Sequence, residues 1–169
     1  MERLGCYRLH PSGEGILGID TASLEDFLNR HRLIGADTMV FIYHLEDHPV
    51  YAPLTEMIFE SWEAGSTFGI TSIITLLEIL VKPKRDRNSD AVRDYKEILT
   101  TYPNLRLVNL DPELADRASD LRAKYNLKTP DAIQIAATLQ AGGIAFITND
   151  PAFKRVTEIE VLMLNDLIE

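Results

Sequence analysis

From Leu33 onward the chain alternates short, continuous apolar runs with longer segments whose apolar residues recur every three or four positions. Strands buried on both faces read as unbroken apolar runs, and helices that cover them read as amphipathic. The runs place strands at 33–37, 67–71, 105–109, 144–148 and 160–163. Helices are expected near 39–46, 52–64, 72–82, 90–101, 112–125 and 131–141, with a short one after Pro151. Such alternation specifies an α/β fold, a three-layer sandwich around a mostly parallel, roughly five-stranded sheet.

Punctuation supports the pattern. Asp111-Pro112, Thr129-Pro130 and Asp150-Pro151 each put a capping residue before a proline suited to the first helical position. Gly142-Gly143 stops a helix ahead of the fourth strand. Residues 1–20 are glycine-rich and aperiodic, and Ser23 is the expected N-cap of a short helix carrying Leu24, Phe27 and Leu28 on one face. The division expected is therefore an N-terminal extension over 1–32 and a main domain over 33–169. A chain of 169 residues, 46% hydrophobic, forms an ordinary core without a structural metal or disulfide. Its one cysteine, Cys6, agrees with a reducing compartment.

Four acids break this apolar order. Asp37 interrupts the run from Leu33 to Ile42, and Glu78 interrupts Ile73 to Val81. Asp131 opens a helix after Thr129-Pro130, and Asp150 follows the run from Ile144 to Asn149. Each has an ordinary alternative: Asp150 as a cap, Asp131 as a partner of the helix dipole, Glu78 as a partner of Lys82 one turn on. The apolar neighbours Ile74, Leu77, Ile79 and Val81 weaken the last of these, because they suggest a helix buried all round. Asp37 has neither a nearby cation nor a capping duty.

Taken together the acids imply a shared pocket. Asp37 and Asp150 fall at the carboxyl ends of strands, the edge of a parallel sheet where ligands bind. Two carboxylates ~4 Å apart repel by about 4 kcal/mol at an effective dielectric of about 20, so such a cluster needs raised pKa values or a divalent cation. Oxygen ligands without His or Cys select Mg²⁺ or Mn²⁺ over Zn²⁺. His44 and His48 have helical i, i+4 spacing, but Leu45 stands where a zinc protease needs glutamate, and Pro49 follows.

Four segments carry a resemblance: Asp37-Thr38-Met39-Val40-Phe41-Ile42-Tyr43, Thr71 to Leu80, Lys128 to Thr138, and Phe146 to Phe153. In this order they resemble the sequence blocks of the PIN-domain family, which includes VapC-type toxins, over about residues 33–165. The resemblance implies an endoribonuclease dependent on one or two Mg²⁺ or Mn²⁺ ions. Asp37 and Asp131 would then be principal metal ligands, Asp150 would complete the site, and Glu78 would hold a second ion or orient water. Thr38, Thr75, Thr148 and Asn149 are placed to hydrogen-bond these carboxylates, although turn or cap duty accounts for them equally well. The same resemblance implies the toxin of a toxin–antitoxin pair, with an antitoxin protein as partner, RNA as substrate and a homodimer as assembly.

The roughly thirty residues ahead of the first strand depart from the family pattern. They also contain a decoy, because Ile16 to Thr21 mimics a strand followed by Asp-Thr. Asp37 is preferred to Asp20, since the helix-loop-helix after it leads on to Glu78 with family spacing.

A net charge of −9 argues against an extended grip on nucleic acid, which depends on neutralising phosphates. Local patches matter more than the total, and Lys82, Lys84, Arg85 and Arg87 form the densest basic group, read either as phosphate contacts or as a solvated loop. No apolar stretch approaches the about 20 residues of a membrane span, and the first residues lack a signal-peptide core, so a cytoplasmic location is expected.

Two rivals share parts of the pattern. A phosphorelay receiver needs an early acidic pair, an Asp ending the third strand and a Lys ending the fifth; the run to Thr38 offers one acid, strand 105–109 ends in Asn109, and no Lys follows 160–163. A haloacid-dehalogenase-type phosphatase needs a second Asp where Met39 stands. A third reading keeps the fold as a catalytically silent module that binds RNA or protein.

Overall fold

The computed structural model describes residues 18–168. The glycine-rich leader up to residue 17 and Cys6 lie outside the described residues. Five strands form one parallel sheet: β1 (Leu33–Ala36), β2 (Phe68–Ser72), β3 (Leu105–Val108), β4 (Ala145–Thr148) and β5 (Glu160–Met163), in spatial order β3-β2-β1-β4-β5. Each expected strand is present, with ends shifted by at most a residue. The order also separates this fold from the receiver type, whose sheet runs 2-1-3-4-5.

The chain leaves β1 on one side to build β2 and β3, then returns to its other side for β4 and β5. The reversal sets the switch point of the sheet between β1 and β4, where ligands of open parallel sheets bind. Gly35 pairs with Ile70 of β2 and Phe146 of β4. A Cβ at Gly35 would fall 2.1 Å from Thr138 Oγ1 and 2.4 Å from Phe146 Cδ2, so glycine is what lets the helix bearing Thr138 lie directly on β1.

Side chains alternate across the sheet as a period of two requires. Ile34, Ala36, Ala145 and Ile147 face one apolar cluster, and Ile70 and Phe146 face the other. The first cluster is closed by helices α1 (Thr21–Arg30), α2 (Thr38–Leu45), α3 (Ala52–Glu63), α4 (Ile73–Ile79) and α6 (Ser89–Thr101). Phe41, Phe59 and Trp62 fill its centre. The short α5 (Val81–Arg85) links α4 to α6. The second cluster lies under α7 (Pro112–Tyr125) and α8 (Thr129–Gln140). Leu24, Phe27 and Leu28 of α1 are buried in the first cluster alongside Leu54 and Ile58, and α1 packs on α3 and on the turn Leu164–Leu167.

Several local expectations need correction. Asp20, not Ser23, caps α1: its side chain accepts from Ser23 N–H at 3.0 Å, while Ser23 is already inside the helix. Ionised Asp is both a better acceptor and a better match to the helix dipole. Thr129 is likewise inside α8, whose N-cap is Lys128 without a side-chain bond. The single helix expected over 72–82 is two, broken at Leu80, and it is not buried all round: Leu77 is 64% exposed and Val81 47%. Asp111 and Asp150 do cap their helices, and Gly142 takes the positive φ of +89° that ends α8.

Candidate active site

Asp37 is placed by three bonds. Its backbone N–H continues the ladder of β1 to Ile147 O at 3.0 Å, fixing the main chain against β4. Its Oδ1 accepts from Thr38 N–H at 2.7 Å, which caps α2, so the residue does have the capping duty that its sequence context hid. Its Oδ2 accepts from the Thr148 hydroxyl at 2.7 Å. Thr148 Oγ1 in turn accepts from Asp150 N–H at 3.0 Å, and Asp150 Oδ1 accepts from Ala152 N–H at 2.8 Å to cap the 3-10 turn Pro151–Arg155. One threonine thus joins the acids that end β1 and β4.

Glu78 comes from α4, whose start is set by Ser72 capping Ile74 N–H at 3.3 Å. Its Oε2 accepts from the Thr38 hydroxyl. The alternative pairing with Lys82 is not made: Lys82 reaches Glu46 instead, at 2.7 Å, because the break at Leu80 turns α5 away.

Asp131 stands in the first turn of α8. Its Oδ2 is buried with no hydrogen-bond partner, a costly condition for a carboxylate oxygen. The other such buried atoms among the described residues are Trp62 Nε1, Gln140 Oε1 and Asn149 Nδ2.

The four acids lie close enough to act on one another's charge. Burial pushes Asp37 up to about 6, the charges of Asp131 and Glu78 add to the rise, and the bonds from Thr148 and Thr38 oppose it. Asp131 is also raised, first by burial and then by Asp150 and Glu78, against the Lys128 charge and backbone. Among the described residues, no three His, Cys, Asp or Glu side chains already converge as a ready metal cluster. The all-oxygen donor set, the raised Asp37 and Asp131 and the orphaned Asp131 oxygen nevertheless suit a hard divalent cation in charge and chemistry.

Beneath the carboxylates runs a buried polar network. The Thr38 and Thr75 hydroxyls are 3.1 Å apart, and those of Thr75 and Thr71 are 2.7 Å apart. Gln134, 1% exposed, donates through Nε2 to Thr75 at 2.6 Å and Thr38 at 3.3 Å, while its Oε1 accepts from Ser72 N–H at 3.0 Å. The Ser72 N–H can only donate, so it fixes which end of the amide is oxygen. This side chain ties α8 to β2, α2 and α4 directly under the acids.

Thr38 and Thr148 therefore touch carboxylates as the sequence suggests. Thr75 reaches them only through Thr38, and Asn149 Oδ1 accepts instead from Asn165 N–H at 2.7 Å. Lys84, Arg85 and Arg87 are exposed on α5 and the turn after it. Gln134, Thr71 and Lys128 escaped the sequence reading. The usable signal for Gln134 was a lone amide one turn after Asp131 in the otherwise apolar stretch from Ala132 to Ala137.

A parallel α/β sheet in the order β3-β2-β1-β4-β5, with Asp37 and Asp150 beyond the carboxyl ends of the adjacent strands β1 and β4, defines the class. The PIN domain model matches residues 35–159, and the chain belongs to the PIN domain family, a family of nucleases. No curated protein matches the chain. Solved structures with the same fold include a toxin–antitoxin complex from Klebsiella pneumoniae (22% identity, TM-score 0.59, covering 78% of this chain and 96% of that one). VapBC2 from Rickettsia felis bound to a promoter DNA fragment is similar at 14% identity and TM-score 0.57, covering 77% and 97%. DNA-bound VapBC from Salmonella typhimurium is similar at 19% identity and TM-score 0.55, covering 79% and 98%. No helix among the described residues is long and apolar enough to cross a membrane.

Proposed function

We propose that this protein is a divalent-metal-dependent endoribonuclease that hydrolyses RNA phosphodiester bonds. What supports the reading is that Asp37, Glu78, Asp131 and Asp150 come from separate elements, with Asp37 pushed up by burial and the charges of Asp131 and Glu78, and Asp131 by burial and the charges of Asp150 and Glu78. Asp37 and Asp131 would hold Mg²⁺ or Mn²⁺, with Asp150 and Glu78 completing a site for one or two ions. A divalent cation held by these carboxylates would supply activation of the attacking water and would offset charge on the phosphate.

The chain's own residues do the positioning. Thr148 holds the Asp37 carboxylate against β4 and the Asp150 backbone beside it, so that both acids keep one orientation. Thr38 holds Glu78, and Gln134 locks Thr38 and Thr75 in place from below. Preset oxygens of this kind cost little reorganisation when charge develops in the reaction. Lys84, Arg85 and Arg87 are candidate phosphate contacts outside the acidic site.

The likeness to toxin–antitoxin complexes supports the finer reading of a toxin restrained by a protein antitoxin, and a cytoplasmic homodimer is proposed with it. The deciding experiment incubates the protein with RNA and Mn²⁺ beside Asp37→Asn and Asp131→Asn. Cleavage should fall at least about 100-fold in each variant, the scale on which losses of charge stabilisation are felt. Equal cleavage by all three proteins would overturn the proposal, and Mn²⁺ binding by calorimetry without any cleavage would favour the silent binding module.

A further inference from the structure

Tyr43, His48 and Tyr51 form an aromatic cluster where α2 gives way to α3. The Tyr43 and Tyr51 rings stack with centroids 4.4 Å apart and planes 20° from parallel. His48 leans on both, at 4.7 Å and 4.9 Å. All three residues are half-buried, so part of the cluster faces water. His48 Nδ1 accepts from the backbone N–H groups of Val50 at 3.2 Å and Tyr51 at 3.4 Å, leaving Nε2 as the nitrogen that carries the proton of the neutral ring.

Position ties this cluster to the acidic site. Helix α3 ends at Glu63, shortly before the amino end of β2, so Tyr51 at its other end lies toward the carboxyl edge. The Tyr51 hydroxyl donates to Asn165 Oδ1, and Asn165 N–H donates to Asn149 Oδ1 at 2.7 Å. Asn149 sits between Thr148, which holds Asp37, and Asp150. The bonds run without a gap from an aromatic surface to the loop that carries two of the proposed site residues.

We propose that Tyr43, His48 and Tyr51 are a stacking subsite for an unpaired base of single-stranded RNA beside the phosphodiester bound at the acids. The proposal rests on the nuclease reading above and deepens it by naming the substrate's form. A chain of net charge −9 gains little from neutralising phosphates, whereas stacking is independent of charge and tolerant of sequence. Glu46 and Asp47 border the cluster, and Glu46 is engaged by Lys82, so the surface suits the uncharged face of a base rather than a phosphate. Bases within a duplex are already stacked on each other and are not offered to such a surface.

The test uses short single-stranded oligoribonucleotides with 2-aminopurine walked along the sequence, titrated with the protein in EDTA so that binding is read without hydrolysis. One position should be quenched by wild type. In Tyr43→Leu/His48→Ala that quench should disappear and Kd should rise about tenfold, the worth of one base–aromatic stack. His48→Trp should restore it. His48→Ala alone, which leaves the packing of Tyr43 and Tyr51 against the core in place, carries the test if the double variant fails to fold. Quenching that survives the substitutions, or RNA that wild type cuts with Mn²⁺ while no position is quenched, would overturn the subsite. RNA that is quenched by wild type in the expected way but never cut with Mn²⁺ would overturn the nuclease reading and leave the subsite standing.

Discussion

Asp37 binds its proton more tightly in the folded protein than in the unfolded chain, because burial and the charges of Asp131 and Glu78 outweigh its two hydrogen bonds. Between the ordinary carboxylate value of 3.8 and about 6 the native state therefore holds the extra proton, and stability falls as pH rises through that window. Glu158 and Glu160, lowered by Lys124 and Arg30, lose their contribution only on acidification below the ordinary range, but His44, pushed down to about 4 by burial, opposes the trend: the unfolded chain binds its proton between about 4 and 6.5, so its share of stability rises with pH. Calorimetry of the metal-free protein should show wild type losing stability relative to Asp37→Asn from pH 4.5 to 7, by an amount on the order of 2 kcal/mol. In Asp37→Asn the rise contributed by His44 should stand alone, and saturating Mn²⁺ should raise the wild-type Tm at pH 7 by binding the native state alone. Parallel profiles for wild type and Asp37→Asn would show that Asp37 is not under this strain. Gln134 works the other way, as a satisfied group whose loss strands its partners. Gln134→Leu removes the acceptor of Ser72 N–H and the donor to Thr75 and Thr38. Denaturant unfolding should report a loss of about 3 kcal/mol, the scale of leaving one or two buried groups unpaired. A loss under about 0.5 kcal/mol, the range of ordinary surface changes, would mean the network is dispensable.

At the scale of elements, the seam between β1 and α8 decides where Asp131 stands. Gly35 leaves room for Thr138, and Thr138 lies two turns along α8 from Asp131. Gly35→Ala places a methyl group inside contact distance of both Thr138 and Phe146, which cannot both retreat in a packed core. Unfolding should show a cost of about 2 kcal/mol, and Thr138→Ala in the same chain should recover part of it. An unchanged midpoint would mean that α8 is not seated as described. Element boundaries were readable where a residue acts locally, as at Asp111, Asp150 and Gly142. They were misread at Ser23 and Thr129, where two candidate caps stand within three residues and the choice falls to the better acceptor or to packing. The break at Leu80 has no sequence mark of its own, since Pro83 stands where α5 can accommodate it in its first turns.

For the molecule as a whole, α1 is a structural component of the first core. Leu24 and Phe27 are 0% and 1% exposed, and Ile19 bridges Ile168 so that the beginning and end of the described chain close on each other. Removing residues 1–31 should abolish cooperative unfolding or yield insoluble protein, since three large side chains each worth about 2 kcal/mol leave the interior. A truncated protein with the full-length Tm would refute that role. The sequence by itself determined the sheet and its strands and singled out four acids as candidates, because period, caps and misplaced charges are local or arise from residues whose burial their neighbours announce. Only the tertiary structure decided that Thr148 joins Asp37 to Asp150, that Gln134 lies beneath Thr38, Thr71 and Thr75, that Lys82 turns to Glu46, and that Leu77 faces water. Those outcomes depend on how distant elements cross, and the free energies that choose among crossings belong to pairs of residues no segment contains.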